Sequence, residues 1–399
     1  MFKRFLGFVL FLELFVTICF AQQFDVDALN AAIKPVDASG SYLPYLAAQL
    51  KGNVICGLGE ASHGTHEFYT EKSRIVNYLI SKDNYRSIGF EYGYSAIEPI
   101  NNYLQTGRGN LRQLMKPLRL FRTEEFYRLF QSLKQFNDKQ AAGTKVAIFG
   151  FDTDYFKRDI DASAKYCINY LLQHQQTYQS GPNAIKVLKK VTALGFNNMF
   201  DLPLTEQAIL SGLNTEVSSQ QSGPVGFAEF KKRLSILYQG TLLTDPLARD
   251  KFMAANITET QQAGKRKTII WGHNVHLAKD TTMAQCKGMG YYLRNKYQSQ
   301  YFALAFDTYQ GGVTVMNGDY YVKYAFQTPQ PSFSAWFASA SQPNFYLPFS
   351  SNGLISGQTG NITNVFANWS IKRVLPMRPG IDFDALMFFR NTTPSQPLR

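Results

Sequence analysis

Five short apolar runs punctuate the chain, at residues 54–58, 87–90, 146–149, 268–271 and 302–306. Each is bounded by Gly or by an acidic residue. Short runs without polar alternation are the pattern of strands covered on both faces. Between them, apolar residues recur at helical spacing: Phe68, Ile75, Val76, Leu79 and Ile80 share one face, and similar stripes run over 96–104 and 124–136. Strand–helix alternation of this kind predicts an α/β fold, with a mainly parallel central sheet flanked by helices.

Residues 160–264 break the alternation. They are rich in Gln and Leu, contain no convincing strand, and carry helical periodicity around 162–172, 184–194, 227–237 and 247–263. The expectation is a helical insertion that walls one side of a cleft. It divides the α/β core into a first part, 22–159, and a second part, 265–399. Strand-like pieces at 313–316, 374–377 and 386–389 are expected to complete the sheet edge.

Composition narrows the class. In 399 residues, 45% are hydrophobic and 18% are charged, which excludes a disordered, collagen-like or coiled-coil chain. Four Cys are too few for a disulfide scaffold. Without Cys19 the count is odd, leaving at most one disulfide and a leftover thiol, and Cys56 reads as a small apolar side chain in a buried strand. The net charge of +12 is scattered, its longest tight run being Lys265-Arg266-Lys267. Scatter argues against nucleic-acid binding and for a solvated surface, or mild attraction to anionic substrates and envelopes. Sequons at Asn256, Asn361, Asn368 and Asn391 matter only in a eukaryotic source.

Residues 1–21 read as an address. Lys3 and Arg4 precede an apolar run interrupted by Glu13 and ending Cys19-Phe20-Ala21. This is the secretory pattern, with cleavage near Ala21 and a secreted or periplasmic product. The run is short for a membrane span and Glu13 is costly within one, so no stable membrane insertion is expected after removal.

The chain has only five His: His63, His66, His174, His273 and His276. Four fall in two His-x-x-His pairs just past predicted strands, where open α/β sheets bind ligands. Glu60, Glu91 and Asp152 share that setting. Folding the sheet would gather four imidazoles and three carboxylates on one rim. Strand, His pair and an acid-ending strand recur in the two halves (Glu91 in one, Asp307 in the other), a weak internal echo. Gly57-Leu58-Gly59 reads as a close backbone approach to a ligand, and His174 as a surface residue.

Imidazole titrates near neutrality and can take a proton from water; a carboxylate on one ring nitrogen fixes the tautomer and raises the basicity of the other. Glu60 and Glu91 are candidate orienters, and a second imidazole can bind a developing oxyanion. Other hydrolytic signatures are missing: there is no Gly-x-Ser-x-Gly, no His-Glu-x-x-His and no phosphate-binding glycine loop. On residues alone, metal-free and metal-assisted hydrolysis stay open. So does a non-catalytic envelope protein that holds a glycan or apolar ligand on aromatic faces.

Four motifs carry a resemblance. Gly59-Glu60-Ala61-Ser62-His63-Gly64-Thr65-His66-Glu67-Phe68, Gly89-Phe90-Glu91, Phe149-Gly150-Phe151-Asp152 and Trp271-Gly272-His273-Asn274-Val275-His276 together resemble the erythromycin esterase family. The resemblance implies an α/β core with a helical insertion. It implies hydrolysis of an ester or lactone, the macrolactone of an antibiotic in the known resistance enzymes, by water activated with neither metal nor cofactor. His63 looks like the general base, supported by Glu60 and Glu91, with His273 and His276 across the cleft. Lys72 and Asp152 look like contacts to the substrate, Lys72 alternatively to a carboxylate. The N-terminal signal and the aromatic C-terminal part depart from the cytoplasmic resistance enzymes.

Overall fold

A computed structural model describes residues 25–174, 176–196, 198–317, 320–349, 353–365 and 373–399. The expected signal segment, with Lys3, Arg4, Glu13 and Cys19, and the sequon at Asn368 lie outside these residues.

Every run read as a buried strand is a strand of one sheet. Its members are β1 (Lys34–Pro35), β2 (Ile55–Leu58), β3 (Tyr85–Gly93), β4 (Ala147–Asp152), β5 (Lys267–Trp271), β6 (Tyr301–Asn317), β7 (Tyr320–Gln327), β8 (Asn344–Pro348) and β11 (Ala385–Thr392). The order is β1-β8-β11-β6-β2-β5-β3-β4, with β7 pairing the far half of β6. From β11 to β4 all pairs are parallel, while β8 and β1 add antiparallel strands at one edge.

The C-terminal pieces depart from expectation. Residues 386–389 lie inside the sheet, in β11 between β6 and β8, because Ala385 to Phe389 are apolar and buried throughout and need cover on both faces. Residues 313–316 continue β6 into a ribbon with β7. Residues 374–377 form β10 (Val374–Met377), paired only with β9 (Gly360–Thr363).

The sheet divides two apolar layers by the period of two of its side chains. Ile269, Trp271, Leu304 and Phe306 point to one side, against α1 (His66–Lys82), α2 (Tyr94–Thr106) and α3 (Glu124–Asp138). Ile270, Ala303 and Ala305 point to the other. The insertion forms α4 (Lys157–Gln173), α5 (Gly181–Leu194), α6 (Leu204–Ser218) and α7 (Phe227–Thr241) around a separate apolar cluster. The last helix expected in it, α8 (Pro246–Gly264), belongs to the core instead: Met253, Ala254 and Ile257 pack on the second face of the sheet with Leu293 of α9 (Met289–Tyr297). Asn256 is buried on α8 and donates to Phe151 O (3.1 Å), so this sequon is closed to modification. Among the described residues Cys56, Cys167 and Cys286 are free, the first two buried. No helix among them is long and apolar enough to cross a membrane.

Candidate active site

The carboxyl ends of β2, β5, β3 and β4 are neighbours in the sheet, and each delivers one proposed group. Glu60 follows β2, His273 follows β5, Glu91 lies near the end of β3, and Asp152 closes β4. The connections after β2 and β5 are laced together, since Asn274 N donates to Glu60 O at 2.9 Å. Gly59 makes room for this: a Cβ there would fall 2.0 Å from Asn274 Oδ1. The glycine read as approaching a ligand thus approaches the neighbouring loop. Gly64 is required as well, because Thr314 N donates to its carbonyl (2.9 Å) and a Cβ would fall 1.7 Å from Thr314 O.

Glu60 is fully buried and fully coordinated. One oxygen is 2.6 Å from His63 Nδ1; the other accepts from Lys72 Nζ (2.6 Å) and Trp271 Nε1 (3.0 Å). Burial alone would raise its pKa, but Lys72 and His63 outweigh burial and hold it below the usual carboxylate range. An ionised carboxylate only accepts, so His63 Nδ1 carries the proton and Nε2 is the basic nitrogen. His63 also lines a cavity of about 400 Å³.

Lys72 is buried beneath Glu60, with its ammonium 4.5 Å from the centre of the Trp271 ring. Burial lowers its pKa to about 8 against the opposing pull of Glu60. Of the two contacts expected for it, the structure contains the one to a carboxylate.

The second half of the cluster turns on Glu91. Its oxygens accept from His273 N (2.8 Å) and Arg249 Nη2 (3.1 Å), and His276 Nε2 lies at 3.3 Å. Arg249 also grips Asp152, by Nη2 at 2.5 Å and Nε at 3.1 Å. His276 Nδ1 is 2.8 Å from Asp250, which also accepts from Met289 N at 2.8 Å. Burial would lower the His276 pKa, but Glu91 and Asp250 raise it to about 10. Arg249 Nη1 stands 3.1 Å from His276 Nε2, a contact that is a hydrogen bond only when the ring is neutral. With carboxylates at both nitrogens, the cation donating to Glu91 and Asp250 is the form these neighbours favour. His273 behaves oppositely. Burial, with His63 adding to it, lowers its pKa to about 3, so the ring is neutral; Nδ1 accepts from Val275 N (3.3 Å) and the proton sits on Nε2. The His63 and His273 rings are 5.1 Å apart.

Not every expected member arrives. His66 begins α1 and pairs with Glu125 of α3 (2.6 Å), leaving three imidazoles in the cluster. Asp307 accepts from Ser334 Oγ (2.7 Å) and Thr363 N (3.0 Å) instead of facing a histidine. His174 ends α4 at the surface, partly covered by Tyr170 with 4.6 Å between rings, and lies outside the cluster. Asp152 does line the cavity, held by Arg249.

Arg249 and Asp250 escaped the sequence reading because they stand inside the presumed insertion. A local signal exists: Asp245-Pro246 opens the helix, Asp245 capping Leu247 N at 2.9 Å. An arginine in the first turn then works against the helix dipole, and such a local conflict is a mark of function.

The sequence pattern of the family described as erythromycin esterase matches residues 80–222 and 227–392. A protein of Bacillus subtilis (strain 168), named "Putative hydrolase YbfO", is 23% identical over 361 residues, 79% of each chain. A Bacillus cereus crystal structure is 25% identical and superposes with a TM-score of 0.78 over 94% of this chain and 98% of its own. Two further structures share the fold. A succinoglycan biosynthesis protein gives 0.79 at 19% identity over 94% and 98%. A mutant of the erythromycin esterase EreC in its open conformation gives 0.65 at 17% over 89% and 95%.

Proposed function

We propose, from the premise that this chain belongs to the erythromycin esterase family, that it hydrolyses an ester or lactone with water activated by His63. The family and the YbfO relative support a hydrolase. The observation that carries the finer reading is the Glu60–His63 pair. A buried, ionised carboxylate holds Nδ1–H at 2.6 Å and leaves a basic Nε2 on a ring that lines the cavity.

In this reading His63 Nε2 takes a proton from water as the oxygen attacks the carbonyl carbon. The neutral His273 gives its Nε2–H to the developing oxyanion, while Arg249 and His276 offset the charges of Glu91 and Asp152 beside it. His63 then returns its proton to the leaving alkoxide, giving acid and alcohol. Fixed donors in a dry site need no reorganisation as charge develops, which is why this arrangement is effective. Residues 1–21 act as the secretion signal of such an enzyme. Among the described residues no group of three or more His, Cys, Asp or Glu is placed to hold a metal ion.

A panel of 4-nitrophenyl esters and lactones tests the reading. We expect turnover by protein carrying less than about a tenth of an equivalent of metal, undiminished by chelator. Activity that disappears with chelator and returns with one divalent ion contradicts it.

The charge on His276 has its own test. Its pKa is raised, so its contribution to stability and charge is complete below the ordinary value of 6.5 and disappears as pH rises through about 10. Glu60 and Glu91 are held low, so theirs is present above the unfolded values and is lost as pH falls. Asp250→Asn removes one of the two carboxylates that keep His276 charged. The alkaline limb of kcat is therefore expected to move down by about one to two pH units, the equivalent of one charge-assisted hydrogen bond. A limb that does not move shows that Arg249, not Glu91 and Asp250, sets the state of the ring.

A further inference from the structure

Two kinds of group line the cavity beside His63. One kind carries the chemistry already described. The other is a set of rings, Tyr92, Phe121, Tyr155 and Phe156, with Met316 of β6. These rings are held in place. Phe121 stacks on Phe126 with 4.5 Å between centres, meets Tyr69 edge-on at 6.0 Å and lies tilted against Tyr92 at 5.6 Å. Tyr92 is fixed in turn by its hydroxyl, which donates to Pro117 O (2.8 Å). The segment that delivers Phe121 is strained: Arg119 has φ +43° and ψ −117°, a combination L side chains rarely adopt. Such strain persists only where the surroundings over-determine it, and it gathers at functional sites. A ring already fixed in the free protein needs no further ordering when a ligand docks on it.

Charge in the cavity is balanced. Asp152 and Glu91 share Arg249, Glu91 also faces His276, and Asp159 is hydrogen-bonded by Arg158 and faces Arg119. The two cavity guanidiniums also lie on rings, Arg249 at 5.5 Å from the centre of Tyr155 and Arg119 at 4.0 Å from that of Phe156. A charged ligand would have to break into these pairs, at the cost of leaving a buried partner alone; a neutral ligand leaves them intact. At about 400 Å³ the cavity is at the small end of the range for ligand pockets.

We propose that the substrate is a neutral ester carrying an aromatic ring close to the scissile bond, and that Phe121 and Phe156 determine this specificity. This rests on the hydrolytic reading of the same cavity. The ring centre of Phe121 is 6.4 Å from that of His63, so a substrate ring packed on Phe121 brings its ester next to the imidazole. Rings attract rings, offset or edge to face, beyond what buried area alone supplies. The thioether of Met316 favours an aromatic neighbour over a saturated one in the same sense.

The test compares benzyl acetate with cyclohexylmethyl acetate. Both are neutral, they are alike in size, and they release alcohols of similar acidity, so the ratio of their kcat/KM values reads the ring. Wild type is expected to favour benzyl acetate by about threefold to tenfold, the range of one aromatic pair. Phe121→Leu and Phe156→Leu should each lower the ratio by about twofold or more, and together bring it close to one. Phe156→Tyr keeps a ring and should keep the preference. Phe121 is buried in the core while Phe156 is half-buried, so the Phe156 variants decide the matter if Phe121→Leu does not fold. A wild type without preference, or a ratio unchanged in every leucine variant that folds, overturns the proposal. So does turnover of the 4-nitrophenyl and lactone panel without turnover of benzyl acetate. If nothing in either set turns over, the hydrolytic reading fails. The ring site is then judged by binding: benzyl alcohol should raise the melting temperature of wild type more than cyclohexylmethanol does at equal concentration, and equal shifts, or none, remove it.

Discussion

Replacement of His63 by alanine is expected to lower kcat/KM by about two to four orders of magnitude, the usual contribution of a positioned general base. The fold should survive, because Glu60 keeps Lys72 and Trp271 as partners when the imidazole is gone. Unchanged circular dichroism would establish that. His66→Ala provides the internal control. His66 is the same residue type three positions on and was an equal member of the expected rim, but its ring belongs to Glu125. Its removal should leave the rate within a few-fold of wild type. Equal losses in the two variants would mean that general disruption near the start of α1, and not base catalysis, is being measured.

The largest effect on stability is expected at Lys72. Lys72→Met keeps the volume but leaves the Glu60 carboxylate in the protein interior without its ammonium partner. Breaking a buried pair in this way costs about 3–5 kcal/mol, roughly a fifth or more of the stability of an ordinary domain. Chemical denaturation gives the value directly. The double variant Lys72→Met with Glu60→Gln should recover much of the loss, since no buried charge is then left alone, yet stay inactive because nothing ionised orients His63. Recovery of activity together with stability would show that Glu60 has no part in the chemistry.

The fold was legible where one physical rule dominated. Unbroken apolar runs must be covered on both faces, and each of them is a strand of the sheet. The same rule places 386–389 inside the sheet, although its lateness in the chain suggested an edge; strand order depends on which faces remain uncovered, a tertiary matter that local pattern does not carry. The site was legible where residues cluster in sequence at strand ends: Glu60, His63, Glu91, Asp152, His273 and His276 meet because β2, β5, β3 and β4 are neighbours. His66 was misplaced by the same proximity. It is the first residue of a helix, where one step along the chain turns the side chain by about 100°, away from the rim. Arg249 and Asp250 were hidden because α8 returns from the insertion to the core, a change of neighbours that the local pattern does not carry. Lys72 reads equally as a contact to substrate or to a carboxylate until its partner, twelve residues earlier, is seen above it.

The claim on which the account depends is direct attack by water held at His63 Nε2, with no acyl group passing through the protein. Rapid-quench kinetics on a 4-nitrophenyl ester, with the mass of the intact chain read at each time point, tests it most directly. The account predicts nitrophenolate release that is linear from the first turnover, and a chain of unaltered mass throughout. A burst approaching one equivalent, with the acyl mass added to the protein, would contradict it.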